Sequence, residues 1–239
     1  MQKIEPYRQR ERIPTGAPLD ENLAKAVAAD PRLQAMIRAA DRYLAAIGYT
    51  EHGPRHTRLV ADRARALALS LGHTPRLAER AYLAGLIHDI GNMLGRNQHG
   101  VASAVMVYPI LVDHGIDYDD ICAILMAVSN HEEEVGVVVD ETSACLIIAD
   151  KTDVHRSRVR YPDPTTKDIH DRVNLATKRC SLTADAKERL IKLDITIDTA
   201  LASVMEYFEI FTSRMVMVRR AARVLGCRFK LLINNVELS

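Results

Sequence analysis

The sequence predicts a mainly α chain: a helical bundle over residues 20–160 and a small C-terminal α/β module over residues 161–239, preceded by an extended arm over residues 1–19. Three observations carry this expectation. Apolar residues recur at helical spacing through most of residues 20–155. Helix starts are marked by Asp or Thr before Pro, and stops by Gly. One C-terminal stretch alternates at period two instead. The 239 residues, 48% hydrophobic and 26% charged, suit one large domain or a domain with an appendage.

The elements follow in order. Residues 1–19 are polar and carry Pro6, Pro14, Gly16 and Pro18, so they read as the arm. Asp20 caps a first helix. Asp30-Pro31 opens a second, with Leu33, Ile37, Ala40, Leu44 and Ile47 on its apolar side and Gly48 at its end. A third runs from about Pro54 to Leu71, before Gly72. Thr74-Pro75 opens a fourth that reaches His88-Asp89 and ends near Gly91. A fifth covers Gly100 to His114. A sixth is capped by Asp119-Asp120 and reaches Asn130-His131. A seventh covers Thr142 to about Val154.

Residues 161–168 read as a loop. Leu190 to Asp198 then places Ile191, Leu193, Ile195 and Ile197 on one face and Lys192, Asp194, Thr196 and Asp198 on the other, a strand with one solvated side. Thr199 to Leu225 is a long helix whose Met205, Phe208, Phe211, Met215 and Met217 suit a core or a homodimer contact. Cys227 to Leu238 forms a second strand with a turn at Asn234-Asn235, giving a β-α-β module.

Composition excludes several functions. A net charge of +1 argues against general nucleic-acid binding, though not against a local basic pocket. Cys122, Cys145, Cys180 and Cys227 form no CxxC pair, which argues against a thiolate zinc site or a disulfide framework. Met1 to Pro6 lacks an apolar leader, and no apolar run approaches the ~20 residues of a membrane span. The expectation is a cytoplasmic protein without membrane partners.

The chemistry concentrates in Leu83-Ala84-Gly85-Leu86-Ile87-His88-Asp89-Ile90-Gly91-Asn92, where two metal-ligand residues end an apolar run. Burying such a pair is unfavourable unless something satisfies it, and a divalent metal would. Among the nine histidines, His56, His99 and His131 also fall at helix ends, and Asp150 closes the apolar run Cys145 to Ala149. Helix ends in a bundle can converge. Imidazole and carboxylate without thiolate suit Fe, Mn, Zn, Mg or Co. Arg55, Arg96 and Lys151 neighbour these residues, and Arg156, Arg158 and Arg160 follow, so each is a candidate for reading phosphate. The Arg156 to Arg160 run also reads as a solvated face. His52, His73, His114, His155 and His170 lack an apolar context and read as non-ligands. Glu132-Glu133-Glu134 reads as a solvated charge run in which Glu132 can orient His131.

The order His56, His88-Asp89, Asp150, with the runs GLIHDIGN and IIADKTD, resembles the HD-domain superfamily of metal-dependent phosphohydrolases over roughly residues 50–155. The resemblance implies a helical fold in which His56, His88, Asp89 and Asp150 hold one metal. It also implies a second metal, reached by Asp89 as a bridge and held by His99 and His131, as in dinuclear members. The interval from Asp89 to His99 is short, and His114 is the alternative ligand there. One or two divalent ions are implied, Fe or Mn foremost. The implied reaction is hydrolysis of a phosphate ester or phosphoanhydride in a nucleotide or other small phosphorylated molecule, with Asp89, Lys151 and Arg55 in catalytic roles. Two other readings fit the same ligand order: a dinuclear-iron oxygenase of HD architecture, and a regulatory or ligand-binding HD module without catalysis.

Overall fold

Helix starts follow the caps. The structure, a computed structural model, describes residues 16–161 and 168–238. The arm up to residue 15 and most of the expected 161–168 loop therefore lie outside the described residues. Asp20 accepts from the Leu23 backbone N–H before α1 (Glu21–Ala28), and Asp30 from that of Arg32 before α2 (Pro31–Ala46). Helix α3 (Pro54–Ser70) starts at Gly53-Pro54 without a side-chain cap, and Thr74 caps α4 (Pro75–Ile87). Helices α5 (His99–Asp113), α6 (Tyr118–Ser129) and α7 (Glu141–Lys151) complete the bundle. Helix α6 is capped by Asp117 rather than by Asp119-Asp120. Asp120 is instead buried, accepting from Leu19 N at 2.8 Å, Arg76 Nε at 2.7 Å and Arg80 Nε at 2.5 Å.

Helices α4 and α7 form the centre. Every residue from Ala81 to Ile87 and from Thr142 to Ala149 is buried, as expected of helices that are apolar all round. Gly85 allows α4 to touch α3: a Cβ there would lie 2.8 Å from the Ala61 backbone. Gly91 does the same for the next turn, where a Cβ would meet the His99 carbonyl at 2.1 Å. Helix α4 ends at Ile87, with His88 as its C-cap, and a 3-10 turn over Ile90–Leu94 follows Asp89. The chain is mainly α, with nine α-helices among the described residues.

The C-terminal part is richer than a β-α-β unit. It comprises α8 (Ile169–Ala176), β1 (Thr177–Asp185), β2 (Leu190–Ile197), α9 (Val204–Val224), β3 (Arg228–Ile233) and β4 (Val236–Glu237). The sheet order is β1-β2-β3-β4; β2 and β3 are parallel across the α9 crossover and the outer pairs antiparallel. The alternation of β2 is as expected, with Ile191, Leu193, Ile195 and Ile197 buried. Strand β1 also alternates, with Cys180, Leu182 and Ala184 packed on the core opposite Ile195, Leu193 and Ile191, a signal missed in the sequence because two of these side chains are small and all three are only partly buried. Helix α9 starts at Val204 rather than Thr199, set by a Ser203–Glu206 capping box. Its Tyr207, Phe211, Met215 and Met217 are buried in the chain's own core against α7, while Met205 is 67% exposed. Three of the five stripe residues, Phe211, Met215 and Met217, are thus packed within the chain. No helix among the described residues is long and apolar enough to cross a membrane.

Candidate metal centre

The helix ends converge. His56 stands in the first turn of α3, His88 caps α4 and Asp89 follows it. His99 opens α5, His131 lies just past α6, and Asp150 is in the last turn of α7. His56, His88, Asp89, His99 and His131 are buried, and Asp150 is partly exposed. His114 is elsewhere, its Nε2 3.0 Å from Asp30 Oδ2, so the short interval after Asp89 does bring His99 into the group.

The two carboxylate oxygens of Asp89 face different partners. Oδ2 lies 3.2 Å from His88 Nε2 and 3.6 Å from His56 Nε2. Oδ1 lies 3.1 Å from His99 Nε2 and 3.8 Å from His131 Nε2. Asp150 Oδ1 joins the first set, 3.4 Å from His56 Nε2 and 3.6 Å from His88 Nε2. The side chains of His56, His88 and Asp150, and those of His88, Asp89 and His131, each bring one ligand atom within 4.8 Å of the others.

The tautomers follow from the outer nitrogens. Nδ1 of His88, His99 and His131 points at the carbonyl oxygens of Gly85 (2.9 Å), Arg96 (3.0 Å) and Val128 (2.7 Å). A carbonyl only accepts, so each Nδ1 carries a hydrogen and each neutral ring keeps a bare Nε2. His56 Nδ1 likewise points at Asp153 Oδ2, at 2.7 Å. Four Nε2 atoms therefore crowd together, with His56 and His88 at 3.3 Å and His99 and His131 at 3.1 Å. Facing lone pairs at that distance call for a cation between them, which is the fit a metal requires.

Without a metal, a proton on His88 Nε2 meets the same demand for positive charge: burial alone would lower His88, but Asp89 and Asp150 outweigh it and push His88 up to about 10. Asp89 and Asp150 are held well below the usual carboxylate range despite burial, Asp89 chiefly by His88 and Asp150 by Lys151, His56 and His88. Burial, then the facing His88 and His99, holds His131 well below its ordinary value. The pocket thus combines two ionised carboxylates with a demand for positive charge.

Around it stands a shell that the sequence only partly revealed. Asp153 receives His56 Nδ1 and the Arg55 guanidinium, the latter at 2.8 Å, and lies 3.7 Å from Arg158 Nη1. Asn92 donates to Asp89 Oδ1 at 3.0 Å. Glu132 is buried against His99 Nδ1 at 3.1 Å and accepts from Gly100 N–H, so it supports His99 rather than His131. Glu133 joins Lys151 at 2.5 Å and Arg214 at 2.9 Å, which leaves only Glu134 of the charge run exposed. Lys151 also meets Asp150 Oδ2 at 2.8 Å, and Arg55 is further held by Glu51 at 2.8 Å. The Arg156 to Arg160 run splits: Arg156 is exposed, Arg158 is buried and Arg160 pairs with Asp41. His52, read as a non-ligand, stacks edge-on against His56 at 5.4 Å. Asp153 was in view within the IIADKTD run; Arg214, 64 or more residues beyond every candidate ligand, carried no local signal.

Residues 55–155, which hold all six candidate ligands, match the family profile of the HD domain. None of the curated proteins compared with the chain matches it.

Proposed function

We propose that the chain is a metal-dependent phosphohydrolase acting on a small phosphorylated molecule through a dinuclear centre. In this reading His56, His88, Asp89 and Asp150 hold one ion and Asp89, His99 and His131 the other. The observation that carries it is Asp89, whose two oxygens face two separate sets of bare imidazole nitrogens. Imidazole and carboxylate donors without thiolate suit Fe, Mn, Zn, Mg or Co, and the resemblance to dinuclear HD proteins favours iron or manganese.

When bound, a pair of divalent cations supplies Lewis acidity toward a phosphoryl oxygen and an activated water for in-line attack. The protein supplies the rest. Asp89 sets the spacing of the two positions. Asp153, Glu132 and the carbonyls of Gly85, Arg96 and Val128 fix the imidazole orientations. Lys151 and Arg55 act as positioning residues in this reading: Lys151 holds Asp150 and Arg55 holds Asp153. The low-dielectric walls strengthen every interaction made at the phosphate.

The test is elemental analysis of the purified protein together with a phosphorylated-metabolite screen read by malachite green. About two ions per chain and phosphate release that depends on them are expected. One ion per chain, unaffected by His99→Ala and His131→Ala, overturns the dinuclear assignment. Oxygen consumption by the iron form without phosphate release from any compound moves the assignment to the oxygenase reading.

A further inference from the structure

A cleft of about 290 Å3 opens beside the candidate metal centre, between the HD domain and the C-terminal module. Tyr49, His52, Arg96, Asp153 and Arg158 line it from one side, and His170, Asp171, Asn174, Phe211 and Arg214 from α8 and α9 on the other. Its volume is close to the lower bound of small-molecule sites, roughly 300–1,000 Å3, which suits a small ligand.

The cations near the ligands are mostly committed. Arg55 is spent on Glu51 and Asp153, Lys151 on Asp150 and Glu133, and Arg160 on Asp41. Arg158 gives its Nη atoms to the carbonyls of Asp153 and Glu51. Two guanidiniums in the cleft differ. Arg214 uses Nε on Glu133 and leaves both Nη groups without a hydrogen-bond partner among the described residues. Arg96 places Nη1 3.2 Å from Asn92 Oδ1 and 3.3 Å from His99 Nε2. A cation held at His99 Nε2 would take that lone pair and repel the guanidinium, leaving Arg96 available to an anion in the cleft. Arg96 sits beside His99, and Arg214 reaches Asp150 through Glu133 and Lys151, so the pair flanks both ends of the ligand set. On α8, Asp171 is half-buried and makes no ion pair with a described residue.

We propose that Arg96 and Arg214 clamp the phosphate of a small phosphate monoester, and that Asp171 accepts a hydrogen bond from a hydroxyl or ammonium group at its other end. The inference rests on the phosphohydrolase reading and deepens it. The C-terminal module then takes part in binding, because α8 and α9 complete the substrate cleft and the HD domain alone lacks half of its phosphate clamp. Planar guanidinium forks match phosphate oxygens bidentately, which a lysine at either position would not do.

The test is calorimetric titration of the full-length, manganese-loaded protein with inorganic phosphate, with metal content measured on every variant. Arg214→Gln and Arg96→Gln each weaken phosphate binding about tenfold or more, the effect expected of losing a charged hydrogen bond. Metal content stays at the wild-type level, and Arg156→Gln, outside the cleft, changes nothing. Unchanged binding in Arg214→Gln overturns the clamp. So does parallel loss of metal and phosphate, which would make Arg214 a support for Glu133 and Lys151 only. Absence of phosphate binding in the wild type overturns it as well. In the second arm, 2-hydroxyethyl phosphate and 2-aminoethyl phosphate are compared with ethyl phosphate. Tighter binding of either, lost in Asp171→Asn, supports the acceptor role and shows which donor is read; equal binding of all three overturns it. A metal-loaded protein that binds phosphate through both arginines yet hydrolyses nothing defeats the hydrolase reading and leaves the clamp intact.

Discussion

Replacing Asp89 by Asn separates a bridging carboxylate from an ordinary ligand. The substitution keeps volume and shape, so the buried pocket has no cavity to collapse into. Asn92 Nδ2 donates to Oδ1 at 3.0 Å, which keeps the amide oxygen of the variant on that side, facing His99 and His131. The NH2 group then replaces Oδ2, 3.2 Å from His88 Nε2 and 3.6 Å from His56 Nε2. It donates to a bare nitrogen where a ligand stood, and one negative charge is gone. Losing a partner outside the ligand set commonly lowers metal affinity about 10–100-fold, so losing a ligand and its charge should exceed about 100-fold, or about 2.7 kcal/mol. In the proposed dinuclear reading, an ion held by His56, His88 and Asp150 would be the one to leave. Elemental analysis after dialysis should fall from about two ions per chain to one or fewer, with phosphate release falling at least as far. Asp89→Asn protein that keeps both ions and full activity would refute the bridging argument.

Other perturbations follow from the same geometry. Asp153→Asn loses the anionic acceptor of His56 Nδ1 and the partner of Arg55; metal affinity should drop about 10–100-fold by competition with a chelating dye, and a circular dichroism spectrum unlike the wild type's would point to misfolding instead. Asp120→Ala strips three donors of a fully buried carboxylate and should destabilise by about 3 kcal/mol, the low end for breaking a buried pair because Arg76 and Arg80 stay partly solvated. For a chain of this size that is roughly 6–12 °C in Tm by calorimetry. Burial raises the Asp120 carboxyl, but Arg76, the Leu19 N–H and Arg80 outweigh it and hold it below its ordinary value. Its contribution is therefore complete above the unfolded value near 3.9 and is lost as pH falls through the lower folded value, so the deficit of the variant should shrink in acid. Gly85→Ala forces a Cβ to within 2.8 Å of the Ala61 backbone and should cost about 1–3 kcal/mol in a denaturant titration; a neutral result would mean that α3 and α4 separate freely.

Much of the bundle was legible because its signals are local. Asp20, Asp30-Pro31 and Thr74-Pro75 mark three helix starts, and each side chain caps the helix it precedes. The candidate ligands were legible too, since His88-Asp89 and Asp150 stand in apolar runs where an unpaired polar group is unfavourable. The misreadings arose where neighbours in space decide. Helix α8 and strand β1 are short and weakly apolar, so their faces show only once packed on the core, and Asp119-Asp120 imitates a cap although Asp120 is drawn inward by Arg76, Arg80 and Leu19.

By itself the sequence determined which residue types are available to a metal, their order along the chain and their position at helix ends. The tertiary structure alone decided that those ends meet, because α4 and α7 are buried on all sides and carry His88, Asp89 and Asp150 to one point. It also decided that His99 rather than His114 joins them, since Gly91 lets the chain turn back onto α5 within ten residues of Asp89. The arginine of α9 reaches the same place for the same reason: packing of an apolar helix face fixes where its polar residues point, and no local pattern encodes the distance that this closes.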